Sequence, residues 1–134
     1  MNKRGFNLIE LLVVVSLIGV LATLVIANLN SARERARDAQ RKSDLKNIQT
    51  ALRIYYNDNN GYPNVASFPD WGTDWSPYMN ILPADPLPDQ SYTYTYTDSD
   101  NYSISACLEN RSDDKCTSVA SSVCSSTCQY TVRP

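Results

Sequence analysis

Few residues in this chain could do chemistry, and their types narrow what that chemistry is. The 134 residues include no His, which removes the commonest general base and the commonest metal ligand. The remaining Ser and Asp lie where turns are expected and form no visible nucleophile–base set. Cys107, Cys116, Cys124 and Cys128 all lie close to the C-terminal end of the sequence. Four thiols in a small polar region, downstream of a membrane-length apolar run, read as two disulfides in an oxidising space. Zinc is the rival reading. Gaps of eight, seven and three residues, with no C-x-x-C pair and no His, weigh against it. Asp85, Asp89, Asp98, Asp100, Asp113 and Asp114 could ligate calcium, but there is no D-x-D-x-D-G loop and Asp is a common turn former. The expectation is a chain that is not an enzyme, with no catalytic residue, no metal and no cofactor.

Glu10 carries a different kind of information. It is the single charge in the apolar run from Phe6 to Leu29. A carboxylate in a membrane helix costs up to about 2.5–3.5 kcal/mol at the centre and less near an end. The bland reading is an interfacial acid that reaches back to water. The functional reading is a carboxylate that needs a cation inside an apolar assembly. The cations on offer are Lys3, Arg4, or a new amino terminus made by cutting the leader. Lys3 and Arg4 form a positive flank that should stay cytoplasmic and send the C-terminus outward, in agreement with the cysteines. As a helix the run spans roughly 36 Å, enough for a bilayer core of about 30 Å. It exceeds the apolar region of an ordinary secretory signal, so retention is expected rather than cleavage after it.

Lys3-Arg4-Gly5 followed by Phe6-Asn7-Leu8-Ile9-Glu10-Leu11-Leu12-Val13 resembles the class III signal of type IV prepilins and pseudopilins. The resemblance is strong as far as about Asn60 and looser beyond. Most members have Thr where this chain has Asn7. The resemblance implies cleavage after Gly5 by a membrane aspartic peptidase, N-methylation of Phe6, and a role for Glu10 in assembly. It also implies a homopolymeric helical filament, with the prepilin peptidase, an assembly ATPase and a membrane platform protein as partners. The subunit would sit as a single-pass protein in the cytoplasmic membrane before assembly and in an extracellular pilus afterwards. A minor pilin, a type II secretion pseudopilin and a DNA-uptake pilin are the alternatives.

The elements that must position these residues follow from pattern. Beyond Leu29, Ala32, Ala36, Ala39, Leu45, Ile48, Leu52 and Tyr55 recur at three- and four-residue steps, and Ser31–Tyr56 contains no Gly or Pro. Asn57-Asp58-Asn59-Asn60-Gly61-Tyr62-Pro63 supplies a stop. One helix over residues 6–58 is predicted, roughly 80 Å long. Gly19 is a close-packing point or a hinge. With no Pro between Phe6 and Tyr62, any melting there should be small or absent. The window Arg33–Lys46 holds six basic and three acidic residues. It reads first as a solvated helix face with pairs such as Glu34–Arg37 and Asp38–Arg41, and second as a nucleic-acid surface.

Residues 67–90 are loop, with Pro69, Pro77, Pro83, Pro86 and Pro88 and the anchors Trp71, Trp75 and Tyr78. Leu82-Pro83-Ala84-Asp85-Pro86 resembles a short pseudopilin motif that leads into the first strand. Ser91–Thr97 alternates Tyr and Thr with period two and reads as a strand, with Tyr92, Tyr94 and Tyr96 on one face. That face is core against the helix in the first reading, and an exposed aromatic stripe in the second. Asp98–Asn101 is a turn, Tyr102–Leu108 a second strand and Gln129–Arg133 a third. Strand parity separates Cys107 from Cys128, which favours Cys107–Cys116 and Cys124–Cys128, with the nested pairing next. The predicted architecture is α+β: a long N-terminal helix packed by its second half on a small antiparallel sheet. Its parts are a leader (1–5), an assembly half of the helix (6–29), an amphipathic half (30–60) and a β head (61–134).

Overall fold

A computed structural model describes residues 7–134. Asn7 starts the helix. Its carbonyl accepts from the Glu10 amide at 3.0 Å, and its side-chain Oδ1 accepts from the Ile9 amide at 3.4 Å. This is how Asn serves as an N-cap, where a short side-chain acceptor meets amides that have no helical partner. The helix α1 then runs unbroken over Leu8–Asn59. It passes through Gly19 without interruption, as expected for a run that lacks Pro. It ends where Asn60 adopts φ 54°, the left-handed conformation that Asn tolerates better than most residues.

The chain divides into two compact units, one up to Glu34 and one from Arg35 to Pro134. Among the described residues the first consists of Asn7 and the helix that follows it. The second holds the rest of α1 and a four-stranded antiparallel sheet. Its strands are β1 (Thr93–Asp98), β2 (Asn101–Cys107), β3 (Thr117–Ser118) and β4 (Cys128–Val132), in the order β1-β2-β4-β3. The register sets Tyr94 opposite Ile104 and Tyr96 opposite Tyr102. It also sets Ile104 opposite Val132 and Ala106 opposite Tyr130. The Asp98 side chain shapes the β1–β2 turn by accepting from the Asp100 amide at 2.9 Å. The predicted α+β arrangement is the one observed. The short strand β3 is not among the strands that the sequence pattern predicts.

Alternation explains the core. In β2, Tyr102, Ile104 and Ala106 point inward and their neighbours outward. They meet Leu45, Ile48, Ala51 and Leu52 of α1, with Trp75, Leu82, Tyr92 and Val132 closing the cluster. Leu45, Ile48 and Leu52 are wholly buried, as their spacing predicts. Of the predicted tyrosine face, Tyr92 is buried just ahead of β1. Tyr94 is half-buried, stacks on Phe68 at 4.1 Å between ring centroids and donates to the Pro63 carbonyl at 2.7 Å.

The cysteine pairing differs from the expected one. Cys107 is joined to Cys124 and Cys116 to Cys128, with Cα–Cα distances of 5.6 and 5.3 Å. Strand geometry explains the crossing. Cys107 lies opposite Gln129, so it does not share a face with Cys128, and the parity argument holds to that point. The short strand β3 then sets Ser118 opposite Cys128. Cys116 has the parity of Ser118 and reaches Cys128 diagonally. A turn in which the Cys124 amide donates to the Ala120 carbonyl at 3.2 Å leaves Cys124 for Cys107.

Candidate functional site

The first unit presents a surface with one kind of chemistry. From Leu8 to Leu29 the large apolar side chains are all exposed, from 43% at Leu29 to 77% at Leu8. The polar side chains among them are satisfied by the helix itself. The Ser16 hydroxyl donates to the Leu12 carbonyl at 2.8 Å. The Thr23 hydroxyl donates to Val20 at 2.7 Å, and the Asn28 amide to Leu24 at 3.0 Å. Such back-bonding is what apolar surroundings require of a hydroxyl or amide. The N-terminal part of α1 is long and apolar enough to cross a membrane. Glu10, in the first turn, is exposed and is the one charge that this surface carries. The predicted cleavage and methylation positions, Gly5 and Phe6, lie outside the described residues. Gly19 has no atom within 4 Å of where a Cβ would stand, so nothing within the chain demands glycine there.

The second unit is locked by an ionic cluster. Arg41 is fully buried. Its Nε and Nη2 donate to the two Asp85 oxygens, each at 2.8 Å. Its Nη1 donates to Asp38 at 2.8 Å and to Glu109 at 2.7 Å. Arg37 also donates to Glu109, from Nε at 2.7 Å. Asp38 in turn accepts from the backbone amides of Glu109 and Asn110 at 2.9 and 2.8 Å. One guanidinium thus ties α1 to the loop before β1 and to the chain leaving β2. Burial alone would lower the Arg41 pKa. The hydrogen bonds that it donates to Asp85, Glu109 and Asp38 more than offset that and raise it. The Arg37 hydrogen bond, against the opposing effect of burial and with help from Arg41, holds Glu109 down at about 2. Nearby, Lys42 donates to Asp113 at 2.6 Å. That bond raises the lysine and lowers the carboxylate.

This cluster corrects the reading of Arg33–Lys46 as a solvated face for part of that window, since Arg33, Arg35 and Lys46 are exposed as expected. The Asp38–Arg41 pair exists, but both residues are buried. The signal was available: residues 38, 41, 45, 48 and 52 advance by three and four, so Asp38 and Arg41 continue the stripe of Leu45, Ile48 and Leu52. Of the aspartates considered for calcium, Asp85 faces Arg41, Asp113 faces Lys42, and Asp98 caps its own turn. The four cysteines are brought together in the 107–128 segment of the second unit.

Comparison with known proteins agrees in kind. The family described as the prokaryotic N-terminal methylation motif matches residues 1–26. The chain is 35% identical over 97 residues to the type II secretion system core protein G of Escherichia coli, covering 63% of this chain and 67% of that protein. It is 44% identical over 64 residues to the protein of the same name from Pectobacterium carotovorum, covering 48% of this chain and only 41% of that protein's length. It is 36% identical over 66 residues to the type IV major pilin protein PilA of Myxococcus xanthus, covering 49% of this chain and 30% of that one.

Proposed function

The chain belongs to the family of type IV pilins and type II secretion pseudopilins, and we propose that it is a structural subunit of a pilus-like surface filament. The observation that supports this best is the surface of Leu8–Leu29. It is apolar, self-satisfied in its polar groups, and charged only at Glu10. Such a surface suits lipid before assembly and a bundle of identical helices afterwards. The prepilin peptidase removes residues 1–5 and methylates Phe6. The assembly ATPase and platform protein then move subunits from the cytoplasmic membrane to the filament. Glu10 pairs there with the ammonium of a neighbour's Phe6 and sets the axial register between copies. The second unit is the exposed head, held by the Arg41 cluster and the two disulfides.

Mass spectrometry of filaments sheared from cells tests this reading. The subunit should lack residues 1–5, carry a methyl group on Phe6 and contain two disulfides. An intact Met1 in assembled filaments would refute the processing scheme. A secretion pseudopilin is the second reading, favoured by the match to the Escherichia coli protein, which is long enough to reach into the head. Short, scarce filaments together with loss of secreted enzymes on gene deletion would select it.

A further inference from the structure

The net charge of −2 conceals a division of charge within the second unit. Lys42, Lys46 and Arg53, with Gln49 between them, advance by four, three and four and so share one flank of α1. A shallow cavity of about 400 Å³ sets Lys115 and Tyr130 beside Lys42 and Lys46. Gln49 donates to the Arg133 carbonyl at 2.5 Å, which brings Arg133 to the same edge. Among the described residues, only Asp113 and Asp114 pair with any of these five cations. Lys46, Arg53 and Arg133 make no ion pair among the described residues.

The opposite flank is acidic. Between Arg53 and Arg111 the chain contains no Lys or Arg at all. Of the carboxylates in that stretch, Asp85 and Glu109 reach cations. Asp70, Asp74 and Asp89, all in the 63–92 segment, are exposed and make no ion pair among the described residues. The Tyr92 hydroxyl donates to Asp44 at 2.8 Å, and Trp75 lies 6.0 Å from Tyr55 between ring centroids. These contacts put the 63–92 segment on the flank of α1 away from Lys46 and Arg53.

We propose that the heads of neighbouring copies of this chain meet through these unlike flanks, the basic edge of one against the acidic 63–92 segment of the next. The inference rests on the filament reading above and extends it to the head. A contact between two different patches of one chain is heterologous, and repetition without closure makes a helical fibre. Like flanks repel, so the pairing also rejects a closed dimer. A polyanion such as DNA would meet the basic edge but be repelled by the rest of a chain whose pI is about 4.9. The acidic counterpart, in contrast, is carried by every copy.

The test uses the full chain in cells that lack the wild-type gene. Lys46→Glu with Arg53→Glu should reduce filament number at least tenfold, and Asp70→Lys with Asp74→Lys should do the same. All four changes in one chain should restore filaments to within about twofold of wild type, which a folding defect would not do. In membranes holding mixed light and 15N-labelled wild-type chain, carbodiimide should couple Lys46 or Lys115 of one copy to Asp70, Asp74 or Asp89 of another. Wild-type filament numbers from Lys46→Glu/Arg53→Glu, with no such cross-link, overturn the head contact and leave the filament reading standing. Cross-links without any wild-type filaments uphold the contact and sink the filament reading. If the Lys46→Glu/Arg53→Glu filaments form normally but no longer retain labelled duplex DNA, the edge is a nucleic-acid surface and the proposal is wrong.

Discussion

Glu10 costs little where a helix end meets headgroups and water, and much where it is enclosed by other apolar helices. An unpaired charge buried in such a bundle costs several kcal/mol. Simple hydrophobicity predicts that Glu10→Ala should bundle as well as wild type or better. Pairing with a neighbour's amino terminus predicts the reverse. We expect Glu10→Ala to insert and to be cut after Gly5, and to give at least tenfold fewer filaments by electron microscopy. Equal number and length would reduce Glu10 to an interfacial acid. Arg41 shows the same physics inside the head. Two of its three partner carboxylates, those of Asp38 and Asp85, are themselves almost wholly buried. Arg41→Met leaves these charges without their cation, and should destabilise the head by about 3–5 kcal/mol in thermal unfolding.

The helix and the sheet are joined by apolar packing and by this cluster, and the two respond differently to acid. Burial of Leu45, Ile48 and Leu52 does not depend on pH. Glu109 does, because its folded value of about 2 lies below its ordinary 4.5. The unfolded chain therefore takes up the proton first. The stability that Glu109 contributes is complete above its ordinary value and is lost as pH falls toward about 2. Asp113, lowered by Lys42, acts in the same direction. Asp44, raised by burial against the effect of its Tyr92 bond, acts in the opposite one. Denaturant midpoints should fall between about pH 4.5 and 2, and the fall should be shallower in Glu109→Gln. An unchanged slope in that variant would assign the acid sensitivity elsewhere.

For the molecule as a whole, the 107–128 segment has few buried apolar residues beyond Leu108 and the cysteines. It is held instead by crossed disulfides that close loops of 17 and 12 residues in sequence separation. Loops of that size are stabilised by roughly 2–4 kcal/mol each, chiefly through the unfolded chain. Reduction should therefore lower the melting temperature by several degrees and expose this segment to protease before the sheet. Peptide mapping under non-reducing conditions should yield Cys107 linked to Cys124 and Cys116 to Cys128. A Cys107–Cys116 peptide would contradict the crossing.

The elements that repeat were legible in the chain alone. The apolar run from Phe6 to Leu29, an unbroken three-and-four spacing and an Asn-rich stop specify α1 because helix formation is a local, periodic property. Alternation in Ser91–Leu108 specifies β1 and β2 for the same reason. The family signature at Gly5, Phe6 and Glu10 is likewise local, since it depends on order along the chain. What depends on distant segments meeting was not legible. The spacing of Asp38 and Arg41 continues the buried stripe of α1, but nothing local reveals their partners, because Asp85 and Glu109 arrive from 44 and 68 residues beyond Arg41 to satisfy the guanidinium. The disulfide pairing turned on β3, a two-residue strand with no periodicity of its own, which exists because β4 lies beside it. Burial and pairing are decided by which surfaces close on each other, and only the folded chain brings those surfaces together.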